Sequence, residues 1–312
     1  MTANNTKGDI VTAAKPFLKW AGGKGQLLPT FKELYPAALT SSQIKKYHEP
    51  FLGSGAVFFD VMQQYNIKSA YLYDVNEELV LAYRVVQEHL PKLLDFLYRF
   101  QETYRALSKQ KRSEYFYEMR TSFNLQRFNI DYDTFHDNWI PRTAQLIFLN
   151  KTCFNGLFRV NSKGEFNTPA GAYANPVICD ETNLLAVSKL LDKAVIKKAD
   201  FTEVVKTATA SSFIYFDPPY RPISKTAHFK AYHKQNFGDA EQLRLAKLFR
   251  QLDEKGVKMM LSNSDPKNHN PEDGFFDDMY KGFNIMRVPA KRIINADASK
   301  RGKINELVIT NY

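Results

Sequence analysis

Short apolar runs rich in β-branched and aromatic residues alternate along this chain with longer stretches in which apolar residues return every three or four positions. That alternation predicts strands interleaved with helices. The stretch HEPFLGSGAVFFDVMQQY enters extended, turns on Gly53 and Gly55, and continues with Val57, Phe58, Val61 and Met62 at helical spacing, so it reads as strand, tight turn, helix. SAYLYDVN follows as a short strand ending in Asp74, and a helix is expected from Glu77. From 85 to roughly 150 helical periodicity dominates, with frequent aromatics and with Arg99, Arg105, Lys109, Lys111, Arg112, Arg120 and Arg127 interspersed. CFNGLFRVNSKGEFNTPAGAY then sets a Ser-Lys-Gly turn between two extended arms, which predicts a hairpin projecting polar side chains. Strand and helix alternate again in a helix over 181–192, a strand AVIKKADF running to Asp200, and an apolar strand over 213–216. The segment DAEQLRLAKLFRQLDEKG reads as a helix with Asp239 as its N-cap and Gly256 as its stop, and VKMMLSNS and INELVITNY as two more strands.

The elements predict a doubly wound α/β sheet interrupted by one long insertion. The expected divisions are a polar, mobile tail over 1–15, catalytic parts over 16–84 and 181–312, and the mostly helical insertion over 85–180. With 312 residues, 44% of them apolar, the chain can bury a large core. A net charge of +10 suits a polyanionic partner. No window approaches the roughly 18 apolar residues of a membrane span, and the start MTANNTKGDIVTAAK lacks the apolar centre of a signal peptide. A cytoplasmic protein with no membrane contact is expected. Cys153 and Cys179 fit neither a disulfide framework nor a zinc site, so two ordinary thiols and no metal are expected.

Candidate chemistry gathers at strand ends. In IYFDPPY the proline pair forbids the strand from continuing, which leaves Asp217 on a stiff turn where open α/β sheets bind ligands. In EPFLGSGAVFF two glycines open a helix after a strand, the geometry by which backbone approaches a nucleotide-like ligand. Asp74 stands 19 residues beyond Gly55, where a carboxylate can accept hydrogen bonds from ribose hydroxyls. The third small position of a dinucleotide fingerprint is occupied by Phe58, which disfavours a pyrophosphate. S-adenosylmethionine carries a ribose and an adenine without a pyrophosphate and fits the same turn. PFLKWAGGKGQLLP is no phosphate loop, because Gly23-Lys24 lacks both the earlier glycine and a following Ser or Thr.

PFLKWAGGK, EPFLGSGAVFFD, YDVN, FNGLFRVNSKGEFN and DPPY, in that order, resemble the α-class adenine-N6 DNA methyltransferases of the Dam and DpnM group, from about Pro16 to Tyr312. The loop SKTAHFKAYHKQNF and the tail ASKRGKINELVITNY share the likeness. The resemblance implies a Rossmann-like S-adenosylmethionine-dependent methyltransferase sheet, an inserted target-recognition domain carrying a β-hairpin, and double-stranded DNA as partner, with the enzyme a monomer or weak dimer. It implies that Trp20, Lys24, Phe51, Gly53, Gly55, Asp74, Asp200 and Phe201 surround the cofactor, with Lys24 near its carboxylate and Asp74 on its ribose. It also implies that Asp217, Pro218, Pro219 and Tyr220 are the catalytic tetrapeptide, Asp217 lying against the cofactor as well. Asn155, Leu157, Arg159, Asn161 and Pro169 would face DNA, with Arg159 on a guanine and GATC as the site. Adenine N6 is a poor nucleophile because its lone pair is delocalised. Two acceptors, the Asp217 carboxylate and the Pro218 carbonyl, would localise that pair, and Tyr220 would offer a ring face to an extruded base. Methylation of cytosine N4, of an RNA base or of a protein amide shares the tetrapeptide chemistry, and a non-catalytic DNA-binding module is the reading from another class.

Overall fold

In the computed structural model, residues 12–221, 237–291 and 303–312 are described. The parallel strands are β1 (Lys46–Glu49), β2 (Ser69–Asp74), β3 (Ala194–Lys198), β4 (Ser212–Phe216) and β5 (Lys258–Ser264), in the order β3-β2-β1-β4-β5. β7 (Lys303–Thr310) lies antiparallel between β5 and the edge strand β6 (Asn284–Lys291). All five residues of β4 are buried because both sheet faces are covered. The pleat sorts its side chains: Phe213 and Tyr215 join one core, Ile214 and Phe216 the other. β1 is flanked by β2 on one side and β4 on the other. The chain therefore winds outward in opposite directions, and it is beyond the carboxyl strand ends at such a switch point that open α/β sheets form their ligand crevice.

The first core packs under α1 (Leu28–Leu34), α2 (Ala37–Thr40), α3 (Ala56–Gln64), α4 (Glu77–Glu88) and α8 (Glu181–Leu191). It runs without a break into the inserted helices α5 (Leu90–Ala106), α6 (Lys109–Gln126) and α7 (Trp139–Thr152). The second core lies under α9 (Asp239–Glu254) and α10 (Phe275–Met279). Arg142 of α7, 1% exposed, grips Glu78 of α4 through Nε and Nη2 and donates from Nη1 to the Phe123 carbonyl, so one buried guanidinium ties the insertion to the sheet layer.

Several expectations shift. Ala14 and Lys15, assigned to the tail by their polarity, are held by Gln63 and Asn183. β6 is an additional strand, and its Pro289 is tolerated because β6 pairs on one side only. β3 stops at Lys198, and Asp200 instead caps the short helix beginning at Phe201 by accepting from the Thr202 amide. Gly238, not Asp239, is the N-cap of α9, and the Asp239 carboxylate is drawn away by Arg221. The hairpin is closed by two isolated antiparallel bridges, Cys153 with Ala170 and Val160 with Phe166, rather than by regular strands. Two backbone bonds, from the Asn161 amide to the Glu165 carbonyl and from the Asn167 amide to the Arg159 carbonyl, bracket the second bridge; the N–H and carbonyl of Phe166, which face away from the partner arm, are taken by Asn124 of α6, and Thr168 donates to the Leu157 carbonyl. The loop expected to follow DPPY lies, up to residue 236, outside the described residues.

Candidate active site

Asp217 follows β4 directly, and its carboxylate is held from two sides. Lys24 Nζ stands 2.7 Å from Oδ1, and Ser262 Oγ, from the neighbouring β5, donates to the same oxygen at 3.1 Å. Ser262 is fixed in turn by the Tyr215 hydroxyl at 2.7 Å. Burial pushes the Asp217 carboxyl up, while Lys24 and Ser262 pull it back. The turn beyond is anchored as well: Gln242 of α9 donates to the Pro219 carbonyl at 3.1 Å. Arg221 reaches Asp239 and Asp273 and covers the Phe275 ring. Pro218 is buried while Pro219 and Tyr220 are exposed, and neither proline brings an N–H to compete for a ligand.

Lys24 is only 4% exposed. Burial works against its charge, but Asp217, Tyr220 and Glu306 together outweigh burial and keep its pKa above the ordinary lysine value. It donates to the Gly22 carbonyl and the Tyr220 hydroxyl, both at 3.2 Å, and its ammonium lies 4.9 Å from the centre of the Tyr220 ring. The Tyr220 hydroxyl donates onward to Glu306 Oε1 at 2.5 Å. The lysine is therefore built into the Asp217 end of the crevice.

The glycine turn lies across the same crevice. Gly53 and Gly55 have φ of 48° and 67°, the left-handed region that favours glycine, and a Cβ on Gly55 would stand 2.6 Å from the Tyr83 hydroxyl. Asp74, at the end of β2, accepts from the Gly53 amide at 3.1 Å and from the Asn76 amide at 2.9 Å, so one carboxylate shapes the turn and the start of α4. Burial raises its pKa against those backbone donors. Phe51 stacks on Phe201 with ring centres 5.5 Å apart, and Phe237 meets both edge-on. Asp200 pairs with Arg244, whose guanidinium lies 4.3 Å from the Phe201 ring centre.

Trp20 links this crevice to the hairpin by stacking on Phe158 at 4.9 Å. Asn150, 1% exposed, accepts from the Lys19 amide and donates to the carbonyls of Lys19 and Gly156. Asn155 is exposed and left-handed, with φ of 58°. Arg159 and Pro169 are exposed and Leu157 is half-buried. Arg159 donates from Nε to Asn167 Oδ1 at 2.8 Å and from Nη2 to the Asn167 carbonyl at 3.4 Å, which holds its guanidinium along the hairpin. Asn161 has its side chain engaged in the turn, accepting from the amides of Lys163 and Glu165 and donating to the Glu165 carboxylate. Among the described residues no group of three or more His, Cys, Asp or Glu is placed to hold a metal, and no helix is long and apolar enough to cross a membrane. Cys153 and Cys179 are buried free thiols, each pushed up to about 11 by burial.

The family model described as D12 class N6 adenine-specific DNA methyltransferase matches residues 20–294, which takes in the glycine turn, the hairpin and DPPY. The chain belongs to this family. It is 48% identical over 299 residues to the type II methyltransferase M.MjaIII of Methanocaldococcus jannaschii, covering 96% of this chain and 99% of that one. A DNA adenine methylase of Haemophilus influenzae is 31% identical over 295 residues, covering 94% of this chain and 92% of its own. In this D12 methyltransferase four residues at the crevice went unnoticed in the sequence reading: Ser262, Gln242, Asn150 and Glu306. Glu306 left a signal, a carboxylate inside the apolar run INELVIT. The others left none, since their partners lie 45, 23 and 131 positions away.

Proposed function

We propose that this methyltransferase moves a methyl group from S-adenosylmethionine to N6 of an adenine extruded from duplex DNA, within GATC. The observation that carries the reading is the clamped Asp217. Lys24 and Ser262 both bind Oδ1, which leaves the other carboxylate oxygen to accept from an amine. With the Pro218 carbonyl as second acceptor, the two N–H bonds of adenine N6 are fixed and its lone pair is directed at the electrophile. Tyr220, 41% exposed, presents a ring face to the extruded base.

The donor set suits the cofactor. A turn with left-handed glycines and a ribose-competent carboxylate, Asp74, meets an aromatic cluster of Phe51 and Phe201 at the crevice, so the chain offers an acceptor and flat apolar faces to a nucleoside. S-adenosylmethionine supplies an electrophilic methyl when bound. Trp20, Gly53, Gly55, Asp74 and the pair Asp200 and Phe201 are the residues we assign to holding it. Lys24, bonded to Asp217 here, serves the acceptor as much as the cofactor's carboxylate.

The helical insertion and hairpin are assigned to target recognition. Arg159 is the guanine reader, with Nη1 open among the described residues and Nη2 held only by a long bond to the Asn167 carbonyl at 3.4 Å that a guanine would replace to engage O6 and N7, and Asn155, Leu157 and Pro169 flank it. Asn161 serves that surface by shaping the turn. The net charge of +10 supplies the phosphate affinity. Mapping modified bases in plasmid DNA treated with the enzyme and S-adenosylmethionine tests the proposal: N6-methyladenine confined to GATC is expected. N4-methylcytosine, or adenine methylation without preference for GATC, refutes it.

A further inference from the structure

We propose that Glu306 is a positioning residue for methyl transfer, acting through the Tyr220 hydroxyl to orient the tyrosine ring and to keep its proton away from Asp217. The inference rests on the reading of Asp217 to Tyr220 as the reacting tetrapeptide. Glu306 sits in β7 immediately before Leu307, Val308 and Ile309, all fully buried, and is itself 5% exposed. A carboxylate in such a strand is costly to desolvate and calls for compensation. The other buried acids have it: Lys32 stands 3.2 Å from Asp60 and Arg287 3.0 Å from Asp265, and Glu49 accepts from both the Tyr47 hydroxyl and the Phe58 amide. Glu306 has one hydrogen bond, from Tyr220 to Oε1, and its Oε2 is buried with no partner among the described residues. Among the described residues the cation that acts on it is Lys24, which Asp217 already holds at 2.7 Å. An acid kept at this cost for one bond, to a tyrosine 86 positions away in the catalytic turn, points to that turn as its purpose.

The direction of the bonds shows what it achieves. A tyrosine hydroxyl has one proton, and Glu306 takes it, so the oxygen's lone pairs turn to Lys24, which donates to it at 3.2 Å. Lys24 is then fixed between the hydroxyl and Asp217 Oδ1, and the ring is held at its tip as well as at its backbone. Without an acceptor at 306 the hydroxyl is released to rotate, and its proton competes for the acceptor that the adenine amine needs.

The test is a double-variant cycle on the full chain, with plasmid DNA and saturating S-adenosylmethionine. Glu306→Leu suits the apolar strand, and thermal melting confirms folding. It is expected to lower kcat about tenfold, the loss of one hydrogen bond to a charged group, with KM for S-adenosylmethionine within about twofold. Tyr220→Phe keeps the ring and should lose about as much, the double variant should be no slower than either single one, and Glu306→Gln, whose amide oxygen still accepts, should recover most of the rate. Multiplying losses in the double variant, or wild-type kcat in folded Glu306→Leu, overturns the inference. Should Glu306→Leu not fold, Glu306→Gln decides it: near-wild-type kcat that becomes no worse than Tyr220→Phe on combination supports the inference, and a further loss overturns it. Asp217→Ala run alongside separates the two levels: if it keeps turnover, the site reading itself fails, whereas an inactive Asp217→Ala beside an unaffected Glu306→Leu sinks only the role of Glu306.

Discussion

Replacing Lys24 by methionine keeps the unbranched side chain, one atom shorter, and removes the cation 2.7 Å from Asp217 Oδ1. Two unit charges at that distance attract by about 6 kcal/mol at an effective dielectric of about 20, an upper bound because both are desolvated to meet. An adjacent cation depresses a carboxyl pKa by about 1–3 units, which corresponds to about 1.4–4 kcal/mol. Burial already raises the Asp217 pKa, and Lys24 is the largest influence holding it down. The sign follows: the acceptor must be ionised, so transfer is retained above the folded pKa of Asp217 and lost as pH falls through it. In Lys24→Met that acid limb should move to higher pH by about 1–3 units. The assay is the single-turnover rate of methyl transfer between about pH 5 and pH 9, with cofactor and DNA saturating, for both proteins. Acid limbs that coincide would show that Lys24 does not govern the charge of Asp217 and would refute the reasoning.

Asp74→Ala removes two backbone-to-carboxylate hydrogen bonds as well as the proposed ribose acceptor, so cofactor affinity measured by calorimetry should fall by at least about 1.5–3 kcal/mol; unchanged affinity contradicts the placement of the cofactor. Arg159→Ala should relax the first base of the site, costing about 1–3 kcal/mol of discrimination against AATC, TATC and CATC with cofactor affinity intact; a uniform loss at all sites would mark a phosphate contact instead. His48, fully buried in β1, is lowered to about 3 by burial and by Lys46, so its stabilisation is complete above pH 6.5 and is lost as pH falls toward 3, at about 1.4 kcal/mol per unit. Wild type should therefore lose about 2 kcal/mol more than His48→Gln between pH 7 and pH 5 in urea unfolding, and equal losses refute it.

The sequence made the sheet legible where an apolar run met a residue that ends it, the proline pair after β4 and the acid closing β2, whereas the polar β1, KYHE, was marked by the glycine turn that follows it. β6 was hidden because NIMRVPAK carries a proline and two basic residues, a composition tolerated only at the edge where it lies. The hairpin's turn was readable from Ser-Lys-Gly, but its docking on the helices was not, because the outward backbone groups of Phe166 are satisfied by Asn124, 42 positions earlier. The glycine turn and DPPY were equally plain as local patterns. What the pattern did not hold was their environment. Lys24 lies 193 positions from Asp217, and local spacing alone cannot show that a lysine in a glycine-rich loop is a buried counter-ion rather than a solvated charge.

The central claim is that the Asp217 carboxylate accepts from the amine that receives the methyl group. Its most direct measurement is the single-turnover rate of methyl transfer to plasmid DNA for wild type and Asp217→Ala, with DNA binding followed separately. The account predicts a fall of about 100-fold or more in the transfer rate, with DNA affinity close to wild type because phosphate contacts carry most of it. Near-wild-type transfer by Asp217→Ala would contradict it.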